Sequence, residues 1–94
     1  MKNRSRYEVI AAILKAIGEG GTRNKITYSA MLSHAQCRGY LDSLTKSGIV
    51  QEVKDGGNIL YKVTPKGVKF LSYYDQMKEL LPLVNDEALA SIIA

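Results

Sequence analysis

Residues 33–48 read SHAQCRGYLDSLTKSG, and the fold can be worked out from this stretch. Ser33 is a favourable N-cap and Gly48 suits the position that follows a helix, so we predict a helix from about His34 to Ser47. Four apolar residues recur at helical spacing and predict its buried side: Cys37, Tyr40, Leu41 and Leu44. The residues on the opposite side of this helix are small or polar. The question is whether that side contacts a partner or only solvent.

Two shorter helices are predicted before this stretch. Ser5 and Glu8 have the spacing of a capping box, and the glycine-rich GEGG (18–21) ends the first helix. Thr22 is the predicted N-cap of the second helix. Only a tight turn fits between the end of that helix and Ser33, so the second and third helices should form a helix–turn–helix pair.

A hairpin and a long helix are predicted after it. Segments 49–54 and 59–63 are rich in β-branched and aromatic residues, and DGGN (55–58) between them is a strong turn signal. Thr64-Pro65 then suits the start of a helix that reaches about Leu81, before Pro82. The expected apolar stripe of this helix consists of Val68, Leu71, Tyr74, Met77 and Leu81.

The resulting fold class is mainly α with a β-hairpin wing (α+β). The element order helix, helix, helix, strand, strand, long helix is that of a winged helix-turn-helix. The 94 residues are expected to form a single domain overall. Within it, residues 1–64 would form the core and wing, and residues 65–94 a C-terminal helix and tail.

Composition narrows the class of partner and the compartment. The net charge of +4 allows a polyanionic partner without requiring one, and a basic domain with no nucleic-acid partner is the alternative. The single cysteine, Cys37, excludes an intrachain disulfide and fits a reducing compartment. No run approaches the roughly 18 apolar residues of a membrane helix. We therefore expect a cytoplasmic, nucleoid-associated protein without a membrane partner.

The outer side of the third helix has residue types that suit a DNA groove. In helix–turn–helix proteins this side enters the major groove, where Arg38 could bind guanine and Gln36 adenine. Gly39 lowers helix stability by about 0.5–1 kcal/mol. Close approach of DNA or close packing within the protein would explain it, and a tolerated defect is the further alternative. Asp42 could accept a hydrogen bond from a cytosine amino group, but it is expected to pair with Arg38 one turn earlier. A merely solvated helix face would look similar.

Further cations are expected to hold phosphates. They lie in an arm before the first helix, which also contains Lys2, at the start of the second helix and in the wing. The complete candidate DNA-binding set is Ser33, Ala35, Gln36, Arg38, Gly39, Ser43 and Lys46 in the third helix, Arg23, Asn24 and Lys25 in the second, Arg4 and Arg6 in the arm, and Lys54, Asn58 and Lys62 in the wing.

Catalysis and metal binding are not predicted. The chain has one histidine, His34, and one cysteine, whereas a tetrahedral zinc site needs four ligands. We expect His34 to help cap its helix or to lie near DNA. No phosphate-binding glycine motif is present. The expectation is a protein that is not an enzyme, with no cofactor, no metal and no evident small-molecule ligand.

Several segments resemble a known family. YLDSLTKSGIV (40–50) followed by YKVTPKG (61–67) is similar to the winged-helix signature of many prokaryotic regulators. SRYEVI (5–10), ILKAI (13–17) and KITY (25–28) resemble the small archaeal winged-helix DNA-binding proteins of this size. The resemblance implies binding of double-stranded DNA by a transcriptional regulator or chromatin-like protein. It also implies a homodimer formed through the C-terminal helix as an antiparallel coiled coil.

The dimer and the DNA partner each have an alternative. The expected dimerisation residues are Phe70, Tyr73, Tyr74, Met77, Leu80, Leu81 and Val84. Pro82 interrupts this helix, and the helix could instead bury its apolar side in its own core. A winged helix can also be a protein–protein interaction module without DNA binding, since the fold alone does not determine function.

Overall fold

The computed structural model describes residues 4–80 and confirms the predicted winged-helix order of elements. The elements are α1 (Arg6–Ile17), α2 (Arg23–Ser29), α3 (His34–Lys46), β1 (Val50–Asp55), β2 (Asn58–Val63) and α4 (Pro65–Leu80). Lys2, Leu81, Pro82 and Val84 lie outside the described residues, so the expectations placed on them are not addressed.

Local hydrogen bonds set the starts of the first three helices, as predicted. The Ser5 hydroxyl accepts from the Glu8 N–H at 3.1 Å, and the Glu8 carboxylate accepts from the Ser5 N–H at 3.1 Å. The Thr22 hydroxyl accepts from the Lys25 N–H at 3.2 Å. Because each cap satisfies backbone donors that have no partner inside the helix, these starts follow from a few neighbouring residues.

The turn between α2 and α3 has an unusual backbone at one residue. Met31 has a φ of 57°, in the left-handed region that few residues other than glycine adopt. Beyond it, the Leu32 N–H donates to the Thr27 carbonyl at 3.0 Å. The two helices are thus joined by the tight turn that the sequence predicts.

The core lies between the three helices and the base of the wing. Ile26 of α2 and its C-cap Ala30 are buried, as are three of the four positions predicted to be buried in α3; Tyr40 is half-buried. The buried hydrophobic cluster comprises Val9, Ile13, Leu14, Ile17, Ile26, Ala30, Cys37, Leu41, Leu44, Val50 and Tyr61. Burial of Cys37 agrees with its expected role as a small core residue.

The wing is a two-stranded antiparallel hairpin whose register runs from Val50 opposite Val63 to Asp55 opposite Asn58. Gly56 and Gly57 connect the strands with φ values of 56° and 90°. Positive φ at both positions is what a tight hairpin turn requires, and glycine adopts it at no steric cost. This is why DGGN predicted the turn correctly.

A backbone bridge not predicted from the sequence attaches the wing to the loop after α1. Gly21 and Tyr61 exchange two hydrogen bonds, of 3.1 and 2.8 Å. The glycine-rich segment after α1 gives no strand pattern, so its pairing with β2 could not be read from the sequence. The bridge places the start of α2 beside the wing.

The inward side of α4 differs from the predicted stripe. Val68 is 59% exposed and Met77 40% exposed, whereas Tyr74 is buried and Leu71 half-buried. The reason lies at Gly67, which packs so closely that a Cβ there would overlap the Ile49 carbonyl oxygen. With Gly67 facing inward, the neighbouring Val68 faces outward, so the predicted apolar stripe does not coincide with the buried side of α4.

Within residues 4–80, no helix combines the length and the hydropathy needed to cross a bilayer.

Candidate nucleic-acid interface

The outer side of α3 is open along its length. The seven α3 residues of the candidate set, from Ser33 to Lys46, are all exposed, and the opposite side of the helix is in the core. The amphipathic pattern therefore predicted correctly which side is available. Availability alone does not separate a binding face from a solvated one, so the individual side chains matter.

Gln36 has a structural role at the start of α3. Its side-chain oxygen accepts from the Ser33 N–H at 3.0 Å, and the Ser33 hydroxyl accepts from the Gln36 N–H at 3.1 Å. This second capping box, not His34, caps the helix. To bind adenine with both its amide oxygen and its amide nitrogen, the Gln36 side chain would have to share or give up the hydrogen bond that its oxygen accepts from the Ser33 N–H.

Arg38 does not pair with Asp42. Both side chains are exposed and form no ion pair with each other, whereas Lys15 and Asp75 do so at 3.5 Å. A cation placed N-terminal to an acid at this spacing is the less favourable orientation, and ordering two long exposed side chains costs entropy. The expected pair was wrong. Within residues 4–80, no hydrogen bond or ion pair holds the Arg38 guanidinium.

Gly39 faces open space. A Cβ built on it would meet no atom within 4 Å, apart from its own helix backbone and chain neighbours. Close packing within the described part of the chain therefore does not explain this mid-helix glycine. Two alternatives remain for Gly39, which are approach of an external partner to the α3 backbone and a tolerated defect.

Shallow grooves border α3 on two sides. The α1–α3 groove has a volume of about 440 Å³, and the α2–α3 groove, beside the start of α3, has a volume of about 590 Å³. The first is lined by Arg6, Ile10, Ala35, Gln36, Gly39, Tyr40, Ser43 and Leu44. The second is lined by Asn24, Thr27, Tyr28, Met31, Leu32, Ser33 and His34. The helix thus forms a ridge between two depressions.

The basic arm lies beside the start of this ridge. The Arg4 guanidinium donates to the Met31 carbonyl oxygen at 3.2 Å, in the turn before α3. Arg6 lines the α1–α3 groove together with Ala35 and Gln36. Residues that are about 30 positions apart in the sequence are therefore brought to one surface.

A second group of cations surrounds the loop after α1. Lys25 donates from Nζ to the Gly20 carbonyl oxygen at 3.5 Å, and a Cβ on Gly20 would lie 3.9 Å from Cε of Lys62. Hydrogen bonding to the Tyr61 hydroxyl, and its charge, raise the pKa of the Arg23 guanidinium. Arg23, Lys25 and Lys62 are thus neighbours at the base of the wing.

The remaining wing residues, Lys54 and Asn58, lie nearer the tip, and of the two only Asn58 shares a face with Lys62. Lys54 is opposite Ile59 and Lys62 is opposite Gln51, so the two lysines are on alternate faces of the hairpin. Asn58, opposite Asp55, is exposed next to the turn. The predicted wing set is therefore split between the tip and the base.

A family model described as winged helix-turn-helix matches residues 3–81. The chain belongs to the winged helix-turn-helix family. A search of curated proteins finds no match.

Solved structures share the fold at low identity. Sso10a-2, described as a DNA-binding protein from Sulfolobus solfataricus, is 20% identical with a TM-score of 0.74, over 97% of this chain and 98% of that one. The transcriptional regulator BldR from the same organism is 21% identical with a TM-score of 0.64, over 90% and 71%. TubR from Bacillus thuringiensis serovar israelensis, solved bound to 24 bp of tubC, is 21% identical with a TM-score of 0.63, over 74% and 77%.

The winged-helix surface includes exposed residues that the sequence analysis missed. Tyr28 is 89% exposed and Met31 70% exposed, and both line the α2–α3 groove with His34. The sequence contained a signal for Tyr28, because it lies four residues after Asn24, a candidate DNA-binding residue, and therefore on the same face of α2. Tyr28 lies in α2, which has only seven residues. A helix this short gives too few apolar positions to show from the sequence that Tyr28 faces outward.

The expected dimerisation set divides into two parts. Tyr74 is buried and half-buried Phe70 packs against the core, with the two rings stacked at a centroid distance of 6.2 Å. Tyr73 and Leu80 are 61% and 81% exposed. The alternative that α4 packs on its own core thus holds for Tyr74 and Phe70.

The exposed part of α4 borders an apolar groove shared with α1. The groove is lined by Tyr7, Phe70, Tyr73, Tyr74 and Met77 and has a volume of about 380 Å³. Tyr7 was not anticipated, since its place near the start of α1 carries no sign of proximity to α4. We call this surface, together with Leu80, the α1–α4 apolar surface.

Proposed function

We propose that this winged helix-turn-helix protein binds double-stranded DNA, with α3 in the major groove, as a transcriptional regulator or a chromatin-type protein. The observation that carries the proposal is that α3 is an exposed ridge with cations on both sides of it. Arg4 and Arg6 are near one side, and Arg23 and Lys25 are at the start of the adjacent α2. A helix about 10–12 Å wide fits a major groove about 12 Å wide, which has a phosphate strand on each side.

The comparisons support the partner as well as the fold. The printed descriptions call Sso10a-2 a DNA-binding protein and present TubR bound to DNA. These proteins share the arrangement of helices and wing with this chain. By analogy, the wing residues Lys54 and Asn58 would contact the backbone or minor groove beyond the end of α3.

Few side chains of α3 are suited to distinguish base pairs. Arg38 can form the bidentate contact to guanine, whereas Gln36 is used in capping and Asp42 repels phosphates. Ala35, Gly39 and Ser43 offer small contacts only. We therefore propose that phosphate contacts supply most of the affinity and that sequence discrimination is modest.

We further propose a homodimer formed through the α1–α4 apolar surface. Exposed aromatic and aliphatic side chains grouped on one surface are typical of protein–protein contacts. Residues 1–64 would then contact DNA and residues 65–94 would provide most of the dimer contact. A twofold dimer would place two α3 helices on half-sites about one helical turn, roughly 34 Å, apart.

The first experiment is a salt-dependent titration. Fluorescence anisotropy with a mixed-sequence duplex of about 30 base pairs should show binding whose affinity falls steeply with salt. Each phosphate contact contributes about 0.9 to the slope of log affinity against log salt, so several contacts predict a slope of several units. Absence of binding even at low salt would contradict the proposal.

Arg38→Gln tests the role of α3 in the same assay. It should weaken binding and relax preference at one base position, whereas an equal loss on every sequence would indicate a phosphate contact. Lys69→Gln, an exposed change on α4 away from α3, is the matched control.

The second candidate is a protein-interaction module. The exposed Asp42 on α3 and the α1–α4 apolar surface favour it, because neither is useful for contacting phosphates. Weak binding to DNA with little dependence on salt would support this candidate.

A further inference from the structure

We propose that the α2–α3 groove binds the sugar–phosphate backbone of one DNA strand through uncharged contacts, with the Tyr28 hydroxyl as the main hydrogen-bond donor. The inference rests on the proposed binding of double-stranded DNA. It adds an uncharged contact, made by residues other than the arginines and lysines proposed to bind phosphates.

The exposure of Tyr28 is the first observation. At 89%, it is the most exposed large hydrophobic side chain in the described part of the chain, and its hydroxyl has no hydrogen-bond partner there. Met31 beside it is 70% exposed. Tyrosine supplies a rigid apolar ring and a polar tip at low entropic cost, which suits a contact surface.

The residues that line the α2–α3 groove are chemically complementary to a DNA backbone. Asn24, Tyr28 and His34 supply groups that can donate to phosphate oxygens, and Met31 and Leu32 supply apolar contact for deoxyribose. No carboxylate is among the seven lining residues. A phosphodiester can therefore enter without the repulsion that Asp42 would exert on the outer side of α3.

Internal contacts fix the frame of the groove and leave Tyr28 available. The Thr27 hydroxyl donates to the Arg23 carbonyl at 2.7 Å, so it is already used within α2. Arg4 donates to the Met31 carbonyl, which ties the turn to the arm. These contacts hold the walls of the groove, and the exposed Tyr28 hydroxyl is available as a donor beside Asn24 and His34.

Three variants test this contact in the anisotropy titration. We expect Tyr28→Phe to weaken DNA binding about ten- to 150-fold, as loss of a hydrogen bond to a charged acceptor does. The salt slope should stay unchanged, because a neutral hydroxyl releases no counterion. Arg23→Gln should instead reduce the slope by about one, and Tyr28→Ala should weaken binding at least as much as Tyr28→Phe.

Ser72→Ala is the control, since it removes an exposed hydroxyl on α4 that belongs to neither the candidate DNA-binding residues nor the α1–α4 apolar surface. It should leave DNA affinity unchanged. Wild-type affinity in Tyr28→Phe would overturn the hydroxyl contact, whether or not Tyr28→Ala binds weakly. Failure of the wild-type protein to bind DNA at any salt would overturn the proposed function itself. Unchanged far-ultraviolet circular dichroism confirms that each variant is folded.

Discussion

Lys66 and Ser47 join the last helix to the end of α3. Nζ of Lys66 donates to the Ser47 carbonyl oxygen at 2.8 Å, and Ser47 is the C-cap of α3. The last carbonyls of a helix lack partners within it, and a cation there also complements the helix dipole. Next to this contact, the Thr64 hydroxyl donates to the Ile49 carbonyl at 3.0 Å and accepts from the Gly67 N–H at 3.2 Å. The start of α4 and the end of α3 thus form one connected unit.

Lys66→Met is expected to lower the free energy of unfolding by about 0.3–1 kcal/mol, because it removes the cation from the end of α3. Urea denaturation measures this change. Lys69→Met is the control, since it removes an exposed lysine of α4 without touching α3. Equal effects of the two changes would show that the Ser47 contact contributes no specific stability.

Gly67→Ala is expected to lower the free energy of unfolding by about 1–3 kcal/mol, as forced overpacking does. The added methyl group would overlap the Ile49 carbonyl oxygen and the Val63 side chain. Thermal or urea denaturation measures the loss. A wild-type stability would mean that α4 can shift outward at little cost.

Gly39→Ala is expected to act oppositely on stability and on DNA affinity. It should stabilise α3 by about 0.5–1 kcal/mol, because alanine is the better helix former and the space is open. It should weaken DNA binding if α3 lies with Gly39 against the groove. Paired denaturation and anisotropy measurements test both, and unchanged affinity would exclude close approach of DNA at this residue.

Tyr74 is expected to make stability depend on pH in the alkaline range. Burial, with smaller effects from the charges of Glu8 and Asp75, raises its pKa above the ordinary tyrosine value of 10.0. A raised pKa in the folded state gives a contribution that is fully present below the unfolded pKa. That contribution is lost as pH rises through the raised folded pKa.

Urea denaturation at several pH values between about 8 and 11 tests this dependence. Tyr74→Phe should show a shallower loss of stability than the wild-type protein above the ordinary tyrosine pKa. Lysines also titrate in this range, so the control is Tyr73→Phe at the exposed neighbouring position, which should behave like the wild-type protein. Identical curves for all three proteins would refute the role of Tyr74.

Several features of the fold were predictable because they depend on near neighbours. The capping residues Ser5, Thr22 and Ser33 each act within three residues along the chain. The Gly56-Gly57 turn depends on two backbone conformations. Periodicity likewise identified the exposed side of α3, since a regular helix repeats the same geometry at every turn.

The errors of prediction arose where distant parts of the chain meet. Val68 belongs to the apolar stripe by helical spacing, but the close packing of Gly67 on Ile49 sets the rotation of α4 and turns Val68 outward. The Arg38–Asp42 pair was inferred from spacing alone, and exposed side chains do not pair merely because they can reach. Tyr7 was missed because its neighbours in space, on α4, are far away in the sequence.

The sequence by itself determined the kind and order of the elements and which side of α3 faces outward. These properties arise from caps, turns and periodicity, all of which act over a few residues. Only the tertiary structure decided which residues share a surface: Arg4 with Met31, Lys62 with the loop after α1, and Tyr7 with α4. Such neighbours depend on how helices rotate and approach in the packed core, and that geometry is a property of the whole chain.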